Sequence, residues 1–288
     1  MFSKAYVLAS KFTFPVIVSS RFFDGTVESG LATFVLINEQ GWVLTAAHVV
    51  EPLNKIKQDR IEIENYQQQV ASINQDVSLN IKRKREKIGR LVKNDKWITN
   101  VSHWWGANGL IISSFVGSPF GDFALGKIEN YTPDKTQVYP KFRQTKEDLL
   151  GSSVCKLGFP LHHIKSQWDI DKKLFILEEN SLPVPRFPID GICARFQVTK
   201  FPDNSELKFI ETTTPGLKGQ SGGPIFDTDG NICAIQVRTI HYELGFNTQS
   251  TENNKKQIVP QFLNTGIGIS SESIINFLQK QKITVSIV

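Results

Sequence analysis

Nothing in the 288-residue sequence approaches the roughly 18 uninterrupted apolar residues that a membrane-spanning helix requires, so no membrane partner is expected. Cysteine is scarce. Cys155, Cys193 and Cys233 are the only three, each lies in an apolar, strand-like stretch, and no two form a CxxC pair, which argues against a disulfide framework and a zinc site. Reduced, buried thiols in a cytoplasm are the expectation. The stretch from Met1 to Phe14 has no continuous apolar run, with Lys4 and Lys11 bracketing six uncharged residues, so it makes a poor secretory signal and the mature chain is expected to begin near Met1. A net charge of +5 is mild for this length, and nucleic acid is not expected as a partner. Of the five histidines, the adjacent His162 and His163 lack the i, i+4 spacing of helical metal ligands, and with His103 and His241 they have no acidic cluster beside them. No metal and no cofactor are expected.

What is abundant is Phe (20), Gly (20) and Pro (13), scattered among short apolar runs with turn signals between them, which points to many short strands. From Phe14 to Val50 the runs FPVIVSSRFF, GLATFVLI and WVLTAAHVV read as consecutive hairpin strands separated by DG and NEQG. Residues 51–96 then turn rich in Lys, Gln, Glu and Asn. Ile56, Ile63, Val70 and Val77 recur every seven residues, with Tyr66 and Ile73 offset by three, the apolar stripe of a long helix. After Trp97 the β pattern resumes, and Trp104-Trp105 reads as core or barrel rim. A connecting segment covers 131–150. Beyond Gly151, SSVCKLGF, KLFILEE, GICARFQVTKF, LKFIETTT, GPIFDTDG and NICAIQVRTI are six short runs that suit a small barrel, and a short amphipathic helix capped by Ser270 or Ser271 closes the chain.

Three patches carry chemistry. In Thr45-Ala46-Ala47-His48 an apolar strand ends in small residues and presents an imidazole. In Gly121-Asp122-Phe123 a carboxylate enters an apolar strand, where it needs a hydrogen-bonded or charged partner. Gly219-Gln220-Ser221-Gly222-Gly223-Pro224 is the most specific: its glycines permit a tight turn in which the N–H groups of Gly219 and Ser221 converge beside the Ser221 hydroxyl as an oxyanion hole. A serine hydroxyl attacks only when a base takes its proton, which is work for His48, and the imidazole needs a carboxylate, Asp122, to fix its tautomer.

The order His, Asp, Ser is that of the trypsin/chymotrypsin arrangement. TAAH, GDFALGKI and GQSGGPIF resemble the trypsin-like serine protease superfamily, in particular bacterial members of the high-temperature-requirement and glutamyl endopeptidase types, over about 14–50 and 97–280. The resemblance implies an all-β fold of two six-stranded antiparallel β-barrels with a C-terminal helix and a helical insertion in the first barrel. On that basis 1–130 forms the first barrel with His48 and Asp122 and the insertion 51–96, 131–150 a linker, 151–270 the second barrel with Ser221, and 271–288 a helix and tail. It also implies a specificity pocket walled by Pro215, Gly216 and Lys218 and by Gln236, Val237 and Arg238. Nothing there resembles trypsin's buried acid, and Lys218 and Arg238 favour an acidic or neutral side chain if they face the pocket. Where trypsin carries an aspartate that pairs with a new N-terminus after cleavage, this chain has Gln220, and no activation site precedes the first strand.

The function these residues imply is a serine endopeptidase acting through an acyl-enzyme on protein or peptide substrate. Residues 51–96 hold eleven Lys or Arg against seven Asp or Glu, so a protein partner with an acidic surface is expected to dock there, or else the helix is pinned to the barrel wall. Two other classes compete: a catalytically inactive trypsin-like binding module, and a basic nucleic-acid or regulatory protein acting through residues 81–90.

Overall fold

The computed structural model describes residues 1–118, 121–144, 147–203, 205–252 and 255–288, with the side chains of 248–259 left aside. A short helix, α1 (Ser3–Ala9), packs Ala5 and Ala9 into the core and leads to β1 (Thr13–Phe22) and β2 (Val27–Leu36). These pair antiparallel from Thr13↔Val35 to Arg21↔Val27, as the DG turn predicts. With β3 (Trp42–Thr45), β4 (Ile98–Trp104), β5 (Ile112–Gly117) and β6 (Ala124–Ile128) they form a six-stranded sheet in the order β4-β1-β2-β3-β6-β5. Both of its faces are buried, Phe34 and Val43 on one and Leu44 and Leu125 on the other. Trp105 is core, stacked on Phe115 and on His103, while the Trp104 indole turns outward to Asn108.

The run WVLTAAHVV is strand only to Thr45. There α2 (Ala47–Gln75) begins, 29 residues long, with His48 in its first turn and Pro52 inside it. Val49 and Val50 are buried in the core from the helix, and a segment this short gives helical periodicity no room to show. The insertion is two helices, because Asp76 turns its carboxylate back onto the N–H and hydroxyl of Ser78 and breaks the first one. Val77 is accordingly 99% exposed and leaves the expected stripe. The second helix, α3 (Ile81–Gly89), is capped by Asn80, which accepts from the Arg83 N–H at 2.9 Å. The rest of the stripe is half-buried against β4: Tyr66 meets the rings of Phe23 and Trp97, and buried Asp59 accepts from the Ile98 N–H at 2.7 Å.

The second half holds β7 (Lys141–Phe142), β8 (Ser153–Gly158), β9 (Ser166–Asp169), β10 (Leu174–Leu177), β11 (Phe187–Lys200), β12 (Glu206–Thr212), β13 (Pro224–Phe226), β14 (Ile232–Glu252) and β15 (Lys255–Ser270). The order β13-β8-β11-β12-β15-β14 closes on itself through a β13–β14 pairing, which makes a six-stranded ring and removes its edges. One expected member is corrected. KLFILEE is not in the ring: β10 pairs only with β9 as a separate two-stranded sheet, and Leu174 and Ile176 stay exposed. The sixth ring strand is β15, whose Asn264, Thr265, Gly266 and Gly268 hide its strand character. Helix α4 (Ser271–Lys280) is capped by the Ser270 hydroxyl and buries Ile274, Ile275 and Leu278, and β16 (Ser286–Ile287) pairs parallel with β7.

No helix among the described residues is long and apolar enough to cross a membrane. The three cysteines are free and buried. Burial pushes the Cys155 thiol up to about 12 and that of Cys193 to about 11, which makes them inert as nucleophiles.

Candidate active site

His48, Asp122 and Ser221 come from three separate connections: the start of α2, the segment before β6, and the turn between β12 and β13. Asp122 grips His48 at two points. Its Oδ1 accepts from the His48 backbone N–H at 3.0 Å and its Oδ2 meets the imidazole Nδ1 at 2.7 Å. The backbone contact is available because His48 lies in the first turn of α2, where N–H groups have no partner within the helix. The ring orientation follows: Nδ1 is turned to the carboxylate and Nε2 is left for another group. The hydrogen bond that the imidazole donates to Asp122 holds the His48 pKa above its ordinary value, burial opposes this, and the charges of Asp122 and Glu51 add to the rise.

The serine turn is built on glycine for reasons of space. At Gly219, φ is +99° and a Cβ would lie 2.4 Å from the Phe159 carbonyl oxygen; at Gly222, φ is +84° and a Cβ would lie 2.2 Å from that of Thr33. Three hydrogen bonds shape the turn: Gln220 N–H to Leu217 O at 2.9 Å, Gly223 N–H to Gln220 O at 2.8 Å, and Gly222 N–H to Gln236 O at 2.8 Å. Two donors are left over. Among the described residues the N–H groups of Gly219 and Ser221 find no acceptor, as an anion-receiving site requires. Gln220 is fully buried and braces the turn from inside, its Oε1 accepting from the Leu217 N–H at 3.0 Å.

Thr33, which no motif marks, and Thr45, the first residue of the TAAH patch, hold this turn to the first sheet. The Thr33 hydroxyl donates to Gly219 O at 2.7 Å, the Thr33 N–H to Ser221 O at 2.9 Å, and the Thr45 hydroxyl to Thr33 O at 2.8 Å. Both threonines are fully buried, and a threonine within an apolar strand carries no sequence signal of such a role.

Two cavities flank Ser221. One, of about 600 Å³, is lined by both His48 and Ser221 together with Ala32, Val49, Leu161 and Ile164, so it spans the two halves of the chain. No hydrogen bond joins the Ser221 hydroxyl to His48 among the described residues. The other, of about 520 Å³, is lined by all six residues expected for a specificity pocket, Pro215, Gly216, Lys218, Gln236, Val237 and Arg238, and also by Thr239, His241 and Asn264. His162 lines the first cavity and shares a hydrogen bond with Ser181 O at 3.1 Å, and His103 Nε2 meets Val49 O at 2.9 Å. Among the described residues no group of His, Cys, Asp and Glu could hold a metal ion.

A six-stranded sheet and a six-stranded ring with a cleft between them define a class of two-part β proteins. Within that class the chain belongs to the family of the trypsin-like peptidase domain, which matches residues 32–235. A comparison with curated proteins found no match. Among solved structures the chain is similar to the HtrA-type protease AlgW with decapeptide, at 11% identity and a TM-score of 0.51, covering 97% of this chain and 66% of that one. It is also similar to AlgW with tripeptide (16%, 0.48, 97% and 63%) and to the Rv3671c protease from M. tuberculosis, active form (13%, 0.49, 99% and 86%). This chain therefore spans slightly under two thirds of AlgW, and the likeness at such identity is one of fold.

Proposed function

We propose that the chain is a serine endopeptidase in which Ser221 attacks the peptide carbonyl and His48 takes the serine proton. Asp122 keeps the imidazole in one tautomer and stabilises the imidazolium. The N–H groups of Gly219 and Ser221 receive the oxyanion, and an acyl-enzyme forms that water then hydrolyses. The observation that carries this reading is the two-point hold of Asp122 on His48 at the edge of the cavity that Ser221 also lines. The HtrA-type relative of like fold was solved with a decapeptide, which supports a peptide as substrate.

The reading extends to the insertion. Since α2 carries His48 in its first turn, a protein partner bound along α2 and α3 would act on the general base through a single helix.

The test is hydrolysis of a mixed peptide library followed by mass spectrometry, with labelling by a fluorophosphonate. Cleavage and labelling are expected from the wild type and not from Ser221→Ala, which loses one oxygen atom and about 10³-fold or more in turnover. Equal cleavage by the two proteins would refute the assignment and leave a binding role.

A further inference from the structure

The cavity of about 520 Å³ beside Ser221 has a charge pattern that specifies what it would accept. Its charged and titratable liners are Lys218, Arg238 and His241, and among the described residues no carboxylate lines it. The two walls are tied together, the Thr239 hydroxyl donating to Gly216 O at 2.6 Å. Behind the first wall lies a cation that the motifs did not reveal. Lys156 extends from β8 and is 1% exposed. Its Nζ donates to the carbonyl oxygen of Thr214, to the Thr214 hydroxyl at 3.0 Å and to the Pro215 carbonyl at 3.1 Å. A Cβ on Gly266 would lie 2.7 Å from Nζ, and Gly266 pairs in register with Thr239. The ammonium therefore sits behind the wall, against the carbonyl of the lining residue Pro215 and beside the strand pair that carries Thr239, and does not itself line the cavity.

Three neutral acceptors use its three protons, so its hydrogen bonds are met while its charge is not. Among the described residues no carboxylate pairs with Lys156. Glu211, on neighbouring β12, is already held by Arg195 at 2.5 Å, Gln197 at 2.6 Å and Thr265 at 2.8 Å. A buried ammonium without a counter-charge is costly, and burial pushes the Lys156 pKa down to about 7. An incoming carboxylate would supply the missing charge where the dielectric is low and the attraction strong. The cations of the rim are less suited: Lys218 is exposed and the Arg238 guanidinium lies 5.5 Å over the Phe209 ring.

Resting on the peptidase reading above, we propose that Lys156 makes this cavity select an acidic side chain, aspartate or glutamate, on the substrate residue whose carbonyl Ser221 attacks. One feature competes. The Gln236 Oε1 is buried and has no donor among the described residues, and it would favour an amide side chain at the same place.

Four peptides that differ only at that residue, carrying Asp, Asn, Ala or Lys, separate the two. For the wild type, kcat/KM is expected to be at least about tenfold higher for Asp than for Asn, with Lys the poorest. In Lys156→Met the Asp-to-Asn ratio is expected to fall to near one. Lys156→Gln, which keeps donors toward Thr214 and Pro215, serves if the methionine variant does not fold. A wild-type ratio at or below one, or a tenfold ratio that survives in either folded variant, overturns the proposal. Ser221-dependent cleavage of the Ala peptide with a flat ratio removes this inference alone, whereas no Ser221-dependent cleavage of any peptide removes the peptidase reading and this inference with it.

Discussion

The hydroxyl of Thr33 donates to the carbonyl of Gly219 at 2.7 Å, across the boundary between the first sheet and the ring. With the Thr33 N–H on Ser221 O at 2.9 Å, one strand residue fixes both ends of the tripeptide that presents the proposed nucleophile. Turning the Gly219 carbonyl inward toward Thr33 leaves the turn's spare N–H groups for the cleft.

Thr33→Val keeps the side-chain shape and the backbone bond but removes the hydroxyl. It leaves a buried carbonyl with one donor fewer, a loss of about 1 kcal/mol in stability. The larger effect is expected on turnover: kcat should fall about tenfold with KM little changed, because the oxyanion donors lose their brace. Steady-state kinetics beside a thermal melt check this, and an unchanged kcat would show that the turn holds itself.

Asp122→Asn should fold normally and lose about 10⁴-fold in kcat/KM, since an amide in that place favours the wrong imidazole tautomer. Ester hydrolysis with circular dichroism as the folding control measures it, and retention of more than a tenth of wild-type activity would remove Asp122 from the mechanism.

The raised pKa of His48 sets two pH dependences. Catalysis needs the neutral imidazole, so the acid limb of kcat/KM should lie above pH 6.5, and in the residual activity of Asp122→Asn it should move to lower pH. For stability the sign follows from a folded-state pKa above the unfolded 6.5. The contribution of the His48–Asp122 pair is fully present below pH 6.5 and is lost as pH rises through the folded value. The stability difference between wild type and His48→Ala should therefore shrink on going from pH 6 to pH 9.

The Oδ2 of Asp59 accepts from both Ile98 N–H at 2.7 Å and Lys55 Nζ at 2.5 Å, with Asp59 itself buried. Asp59→Ala leaves the Ile98 N–H without an acceptor and should cost about 1–3 kcal/mol. Chemical denaturation measures the loss, and a change under 0.5 kcal/mol, roughly that of an ordinary surface substitution, would mean that α2 is anchored by its apolar contacts alone.

Gln220 bonds to Leu217 within its own turn, and no new N-terminus is needed to hold that turn in place. The 288-residue chain is thus expected to be active untrimmed, and intact-mass spectrometry of an active preparation decides it. Activity found only in a species cleaved before Phe14 would contradict this.

Much of the proposed site was legible because GQSGGP has so few alternative uses: the turn leaves no room for side chains at Gly219 and Gly222. The six expected pocket residues also came together, since both walls lie a fixed distance from Ser221 along the chain. Less visible was whatever depended on the partner strand. Lys156 reads as an outward lysine of SVCKLG until β11 and β13 cover it on both sides. The start of α2 was hidden because its first two buried residues are valines. The sixth ring strand was missed in favour of KLFILEE because apolar content marks β10 better than β15, although pairing decides membership.

Pro52 gives the long helix a property that its length alone would not suggest. Proline has no N–H to offer the carbonyl four residues earlier, and that carbonyl belongs to His48. The rigid rod of the insertion is thus uncoupled by one rung from the turn that bears the imidazole. A load on the distal turns would therefore reach the imidazole through a first turn that is one hydrogen bond short, the place where such a helix bends most readily.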